Sequence, residues 1–191
     1  MKYSEGFNPH PKLSFAMALA VGMTSTSEFF DVELEDHVAP EVLVEQINRF
    51  APSGFEAKKA MITEEKLPSL TSMVEESGYV IEGKVLSDDA GKLLLQEVAD
   101  ILSKESILQR KRNKKGKYLD RDVRPLIRTL NAQLTGDTLK IQTLLATGSQ
   151  ENLRPEAVLI LLDPEKSRFD WDEGVSIQRT FLGKLNGEEL L

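Results

Sequence analysis

The sequence contains no cysteine, two histidines and one tryptophan. The first absence excludes disulfides, thiol catalysis and any cysteine-ligated iron–sulfur cluster on this chain. With only His10 and His37, far apart in sequence, a histidine-rich metal site is excluded too. A carboxylate-only magnesium site has no supporting pattern, and both histidines fall too early in the chain for a Ser/His/Asp order. Long apolar runs are also missing. The stretch Phe15 to Val21 is short and follows a proline-rich turn, so neither a secretory signal nor a membrane span is expected, and cytoplasm is the default compartment.

What is present is enough for a folded body. At 191 residues, 40% hydrophobic and 29% charged, the chain can build one full core or two small ones, and two are expected. The net charge of −7 is unevenly spread. Between Arg110 and Arg128 lie nine basic residues against Asp120 and Asp122, a local charge of +7 on a remainder of −14. A basic concentration on an acidic body attracts a polyanion at one place and repels it elsewhere.

The most constrained stretch is Tyr3-Ser4-Glu5-Gly6-Phe7-Asn8-Pro9-His10-Pro11. Each proline fixes its own φ and pushes the residue before it out of the helical region, so Asn8 and His10 are both extended. Together with Ser14-Phe15-Ala16, Gly22, Ser25, Glu28 and Asp31, the turn resembles the uncharacterised domain associated with radical-SAM proteins. Asp122-Val123-Arg124-Pro125 and Asn152-Leu153-Arg154-Pro155 are later landmarks of the same resemblance. It implies a radical-SAM partner carrying the iron–sulfur cluster, S-adenosylmethionine and cobalamin, with no cofactor on this chain. It also implies a strand and a helix with a Ser-His-Leu-Asp-like motif ahead of the turn. Their lack here points to a fragment, a mis-assigned start or one half of a split protein.

Periodicity gives an α+β fold of two ferredoxin-like domains, the first without its opening strand and helix and the second with an inserted basic hairpin. The expected division is 1–63, a linker at 64–77, and 78–191. In the first domain, Leu13 to Leu19 and Phe30 to Leu34 alternate as strands around a turn at Gly22 and Thr24 to Ser27. A helix opens at Pro40, and Phe55 to Ile62 reads as a weaker strand. In the second, Gly78 to Val85 is a strand, and Asp88 or Asp89 caps a helix from Ala90 to Lys104. Ile127 to Leu134 and Leu139 to Ala146 are strands joined by a tight turn, Pro155 opens a helix, and Val175 to Leu182 is the last strand. The turn glycine precedes the helix proline by 18 residues in the first half (Gly22, Pro40) and 19 in the second (Gly136, Pro155), a weak internal repeat. An incomplete first domain leaves a sheet edge uncovered, so pairing with a second copy is expected.

The candidate nucleic-acid-binding residues are Arg110, Lys111, Arg112, Lys114, Lys115 and Lys117, on a hairpin spanning Leu108 to Asp120 with its tip at Asn113 to Gly116. Such side chains contact phosphate without reading sequence; a lysine-guarded strand edge is the competing reading. Tyr118 is placed to stack on a base, though no RNP-type aromatic pair occurs. Asn152 and Arg154 precede a helix whose free amides suit an anion, or they simply cap it. His10 is either an anchor of its turn, a phosphate contact or a weak catalytic candidate; Asn8 is a ligand contact or bonds its own backbone; His37 reads as surface.

Three functions follow. The first is a non-catalytic RNA-binding or substrate-presenting module acting with a radical-SAM enzyme, the enzyme link resting on the resemblance. The second is a metal-independent endoribonuclease, from a distant similarity to the RNA-processing endonucleases of CRISPR systems, with His10 as acid or base. The third is a protein-interaction scaffold.

Overall fold

In the computed structural model, residues 1–112 and 116–190 are described. Along the chain come strands β1 (Leu13–Phe15), β2 (Thr24–Ser25) and β3 (Phe30–Val32), then helices α1 (Pro40–Phe50) and α2 (Leu70–Met73). They are followed by β4 (Glu76–Lys84), α3 (Asp88–Ser103), β5 (Leu108–Arg112), β6 (Tyr118–Asp122), β7 (Ile127–Thr135), β8 (Thr138–Ala146), α4 (Pro155–Leu162) and β9 (Val175–Gly183). The fold is α+β, with mostly antiparallel sheets. Among the described residues no helix is long and apolar enough to cross a membrane.

The chain forms two compact units. The first comprises Met1–Ser14 and Phe30–Ser69; the second comprises Phe15–Phe29 and Leu70–Leu191. The division read from the sequence, 1–63 and 78–191, places Phe15–Phe29 with the first domain instead. That stretch joins the second unit because β2 lies parallel to β9, Thr24 opposite Gln178 and Ser25 opposite Arg179. The expected turn at Thr24 to Ser27 is therefore partly a strand.

The first unit contains Leu13 and Ser14 of β1, strand β3 and helix α1. Proline at the first helical position suits α1, since its missing N–H has no intrahelical partner there. The expected strand at Phe55 to Ile62 does not form. Instead the Asn48 amide donates to the Ala57 carbonyl at 2.9 Å and accepts from the Ala57 N–H at 2.7 Å, taking the backbone groups a ladder would use. Phe55 reaches Phe30, ring centroids 6.3 Å apart. No residue of this unit is buried, which corrects the expectation of two small cores.

The second unit holds the buried clusters. Its sheet runs β2-β9-β4-β8-β7, in which β9, β4, β8 and β7 are antiparallel to one another and only the β2–β9 pair is parallel, with α3 and α4 as the two helical connections. Strand alternation turns Leu139, Ile141 and Leu145 inward, where they meet Leu94, Val98 and Leu162 of the helices. Lys140 and Gln142 point outward. Helix α3 begins two residues earlier than expected, at Asp88 rather than Ala90, because Ser87 is the cap and its Oγ accepts from the Ala90 N–H at 3.2 Å. Asp88 and Asp89 then sit in the first turn, where negative charge complements the helix dipole. β7 and β8 are joined through Gly136, at φ +60°.

Two buried polar anchors complete this unit. After α4, the Asp163 carboxylate accepts from the N–H groups of Ser167 (2.8 Å), Arg168 (3.1 Å) and Phe169 (3.1 Å), and from Trp171 Nε1 (3.0 Å). In β9, the Arg179 guanidinium grips both Glu28 carboxylate oxygens at 2.8 and 3.0 Å and donates to the Ala18 carbonyl at 3.0 Å. This fastens Phe15–Phe29, whose Ala16 is wholly buried against Leu70, Val74, Leu182 and Leu190.

Candidate nucleic-acid interface

The hairpin is built from its base upward. Asp122 accepts from the N–H groups of Ile107 (2.9 Å) and Arg124 (3.0 Å), while the Val123 N–H returns a bond to the Ile107 carbonyl (2.9 Å). The Ile107 N–H, then that of Arg124, hold the Asp122 carboxyl below the usual carboxylate range. The Arg124 guanidinium donates to the Leu102 carbonyl at the end of α3 (3.0 Å) and to the Ile127 carbonyl at the start of β7 (3.1 Å). Val123 is buried between them. Asp122-Val123-Arg124-Pro125 is thus the clamp that fixes where β5 and β6 leave the body. Replacing Asp122 with alanine is expected to accelerate amide exchange at Ile107 and Arg124 while exchange in β8 stays at its wild-type rate.

β5 and β6 form their own two-stranded sheet. Arg110 pairs in register with Asp120 and Gln109 with Arg121, so the two faces of the ribbon differ. On one face Arg110 lies over the Tyr118 ring, 5.0 Å from its centroid. Both side chains are exposed. A guanidinium on an exposed phenol makes a flat platform with positive charge at its edge, suited to a base and its phosphate together. On the other face Arg121 donates to the Asn152 carbonyl at 3.3 Å, joining the ribbon to the loop before α4. Lys117 is exposed. Lys111 and Arg112 hold ladder positions opposite Leu119 and Tyr118, while Lys114 and Lys115 lie outside the described residues.

The nine cations of this region therefore divide. Arg124 serves the clamp, and Arg128 pairs with Glu76 (3.4 Å) and Glu151 (3.7 Å) and donates to the Pro125 carbonyl (2.6 Å). In the loop before α4, Asn152 takes part through its backbone, and Leu153 is buried with its N–H on the Ala146 carbonyl at 2.9 Å. Arg154 occupies the cap position of α4 with no side-chain cap bond and stays exposed. The first turn of that helix already carries Glu156, which complements the dipole without an external anion.

The N-terminal turn belongs to the first unit. Ser4 and His10 close it: the Ser4 N–H donates to the His10 carbonyl at 2.8 Å, and the His10 N–H donates to Ser4 Oγ at 2.9 Å. Tyr3 and Pro11 form an antiparallel bridge beyond them. The anchor is thus the His10 backbone, leaving its imidazole exposed. Asn8 is exposed, and its side chain makes no hydrogen bond among the described residues; Ser4 supplies the local bond expected of it. Ser4 was legible as the polar residue six positions before His10. Among the described residues no group of three or more His, Asp or Glu gathers as a cation site.

A family model described as an uncharacterized protein conserved in bacteria (DUF2344) matches residues 1–155. No curated protein and no solved structure matches the chain.

Proposed function

The chain belongs to the DUF2344 family of uncharacterised proteins conserved in bacteria, and from that premise we propose that it is a non-catalytic RNA-binding module that presents RNA to a radical-SAM enzyme. The observation carrying the RNA half is the exposed β5–β6 ribbon with Arg110 on Tyr118, inside a segment of charge +7 on an acidic chain. The enzyme half rests on the motif resemblance of Tyr3–Pro11 and its companions, so cluster, S-adenosylmethionine and cobalamin belong to the partner. We read the second unit as ferredoxin-like, supported by its strand–helix–strand–strand–helix–strand order and the sheet sequence β9-β4-β8-β7. A cytoplasmic setting and self-association through an uncovered strand edge belong to the same reading.

The test is retention of a cellular RNA pool across a salt series. If about five phosphates are neutralised, log affinity should fall against log salt with a slope of about −3.5, as for single strands. Reversing charge at Arg110, Lys111, Arg112, Lys114 and Lys115 should flatten that slope and weaken binding by more than about tenfold, with an unchanged thermal midpoint. Wild-type affinity in that variant would remove the hairpin as the site. Metal-free RNA cleavage lost in His10→Ala would favour the endoribonuclease, and salt-independent capture of protein without RNA would favour the scaffold.

A further inference from the structure

The outer face of the five-stranded sheet carries a polar row that the hairpin does not account for. Register places Asn131 of β7, Gln142 of β8, Val80 of β4 and Gln178 of β9 directly beside one another across four strands. In the adjacent row Gln133 stands beside Lys140, which is ion-paired with Glu82 at 2.7 Å. Among the described residues, the amides of Asn131, Gln133, Gln142 and Gln178 make no side-chain hydrogen bond. Asn131, Gln133, Lys140 and Gln142 line a shallow depression of about 330 Å³.

Asparagine is depleted in strands and contributes little to a sheet surface that only meets water. A free carboxamide offers a donor and an acceptor side by side, the pattern that pairs bidentately with a base edge, adenine above all. The half-buried Val80 gives a base ring something apolar to rest on. With the one cation of the depression already paired to Glu82, the face has little excess charge to hold phosphate. Its chemistry fits bases whose backbone is held elsewhere.

The hairpin supplies the positive charge that this face lacks. Arg121 bonds the Asn152 carbonyl, the neighbouring Glu151 pairs with Arg128, and Arg128 lies in β7 three residues before Asn131. These contacts tie the basic ribbon to the strand that carries the first amide of the row.

We propose that this outer face reads the bases of single-stranded RNA, with adenine preferred, while the β5–β6 ribbon binds its phosphates. The inference rests on the RNA-binding reading above and adds a base-specific site to it. RNA single strands are recognised by splaying bases onto a protein surface and bonding their edges. Phosphate contacts position the strand and edge contacts discriminate.

The experiment is fluorescence anisotropy with A-only, C-only and U-only RNA oligomers of about twelve nucleotides, a length within reach of a single domain. The wild type should bind the A oligomer about tenfold more tightly than the others. In the N131A/Q133A/Q142A variant that preference should vanish and the salt slope should stay at its wild-type value. All three positions are exposed, so an unchanged thermal midpoint is expected and is measured alongside. Salt-dependent binding with no base preference in the wild type, or a preference that survives the triple variant, overturns the inference and leaves the hairpin reading standing. No binding of any oligomer at low salt overturns both.

Discussion

An Asp163→Ala variant unfolds at markedly lower urea, with an expected loss of about 4 kcal/mol, because one carboxylate ends four donor bonds at once. Asp163 is 2% exposed and Phe169, held by one of those bonds, is 1% exposed. Water cannot easily replace the lost acceptor, and leaving buried N–H groups unpaired costs more than a typical hydrogen bond gains. Asp163→Asn keeps one acceptor oxygen and should lose about half as much. The protein's single tryptophan reports the event directly, since Trp171 Nε1 donates to this carboxylate. Its emission should shift before the far-ultraviolet signal of the sheet changes in Asp163→Ala.

The same residue sets a pH dependence. Burial pushes the Asp163 carboxyl up, but the bonds from Phe169, Trp171, Ser167 and Arg168 outweigh it and hold the group below the usual carboxylate range. A carboxyl depressed in the folded state is protonated first in the unfolded one. Its stabilising contribution is therefore complete above the unfolded value of about 4 and is lost as pH falls through the folded value. Urea midpoints should be flat from this source above about pH 5 and fall below about pH 4, with a shallower fall in Asp163→Asn. A midpoint curve of identical shape in both proteins would show that Asp163 does not carry the acid sensitivity.

Arg179→Met should cost about 3 to 5 kcal/mol, the range for removing one partner of a buried ion pair. Arg179 is 3% exposed, and its loss leaves the Glu28 carboxylate and the Ala18 carbonyl without their donor. The site is already imperfect, because Arg179 Nε is buried without a partner. Adding Glu28→Gln should recover part of the loss, since a neutral amide tolerates the vacated pocket better than a charge. Limited proteolysis between Phe15 and Phe29 should quicken in Arg179→Met and slow again in the double variant. Protection equal to wild type would mean that the strand pairing of β2 and the buried Ala16 hold the segment unaided.

What could be read in advance was local. α1 is announced by its proline, α3 by acidic residues ahead of a helical apolar face, and β7 and β8 by alternation around Gly136. The hairpin was visible as a charge run with a glycine near its tip. The largest misses involve partners distant in sequence. Nothing in Thr24-Ser25 announces a strand, since two residues have no period and the partner Gln178-Arg179 lies more than 150 positions away. Glu28 and Arg179 are ordinary charged residues until the fold buries them together. Phe55 to Ile62 fails as a strand because a single helix amide, Asn48, occupies the Ala57 backbone. Of the candidate site, the sequence showed how much positive charge there was but not how it divided: Arg110 outward on Tyr118, Arg124 and Arg128 inward on carbonyls and carboxylates. The outer-face amides were visible as alternate positions of good strands, at Asn131 and Gln133 and at Lys140 and Gln142.

The membership of Phe15–Phe29 in the second unit makes the two units inseparable by any single scission. The polypeptide passes between them at Ser14, at Phe29 and at Ser69. Cutting after Ser69 yields a piece that retains Arg179 but has forfeited Glu28, Ala16 and the outermost strand of its own sheet. Neither half is therefore a module that recombination could transplant as one contiguous gene segment. The second body includes residues encoded in the middle of the first.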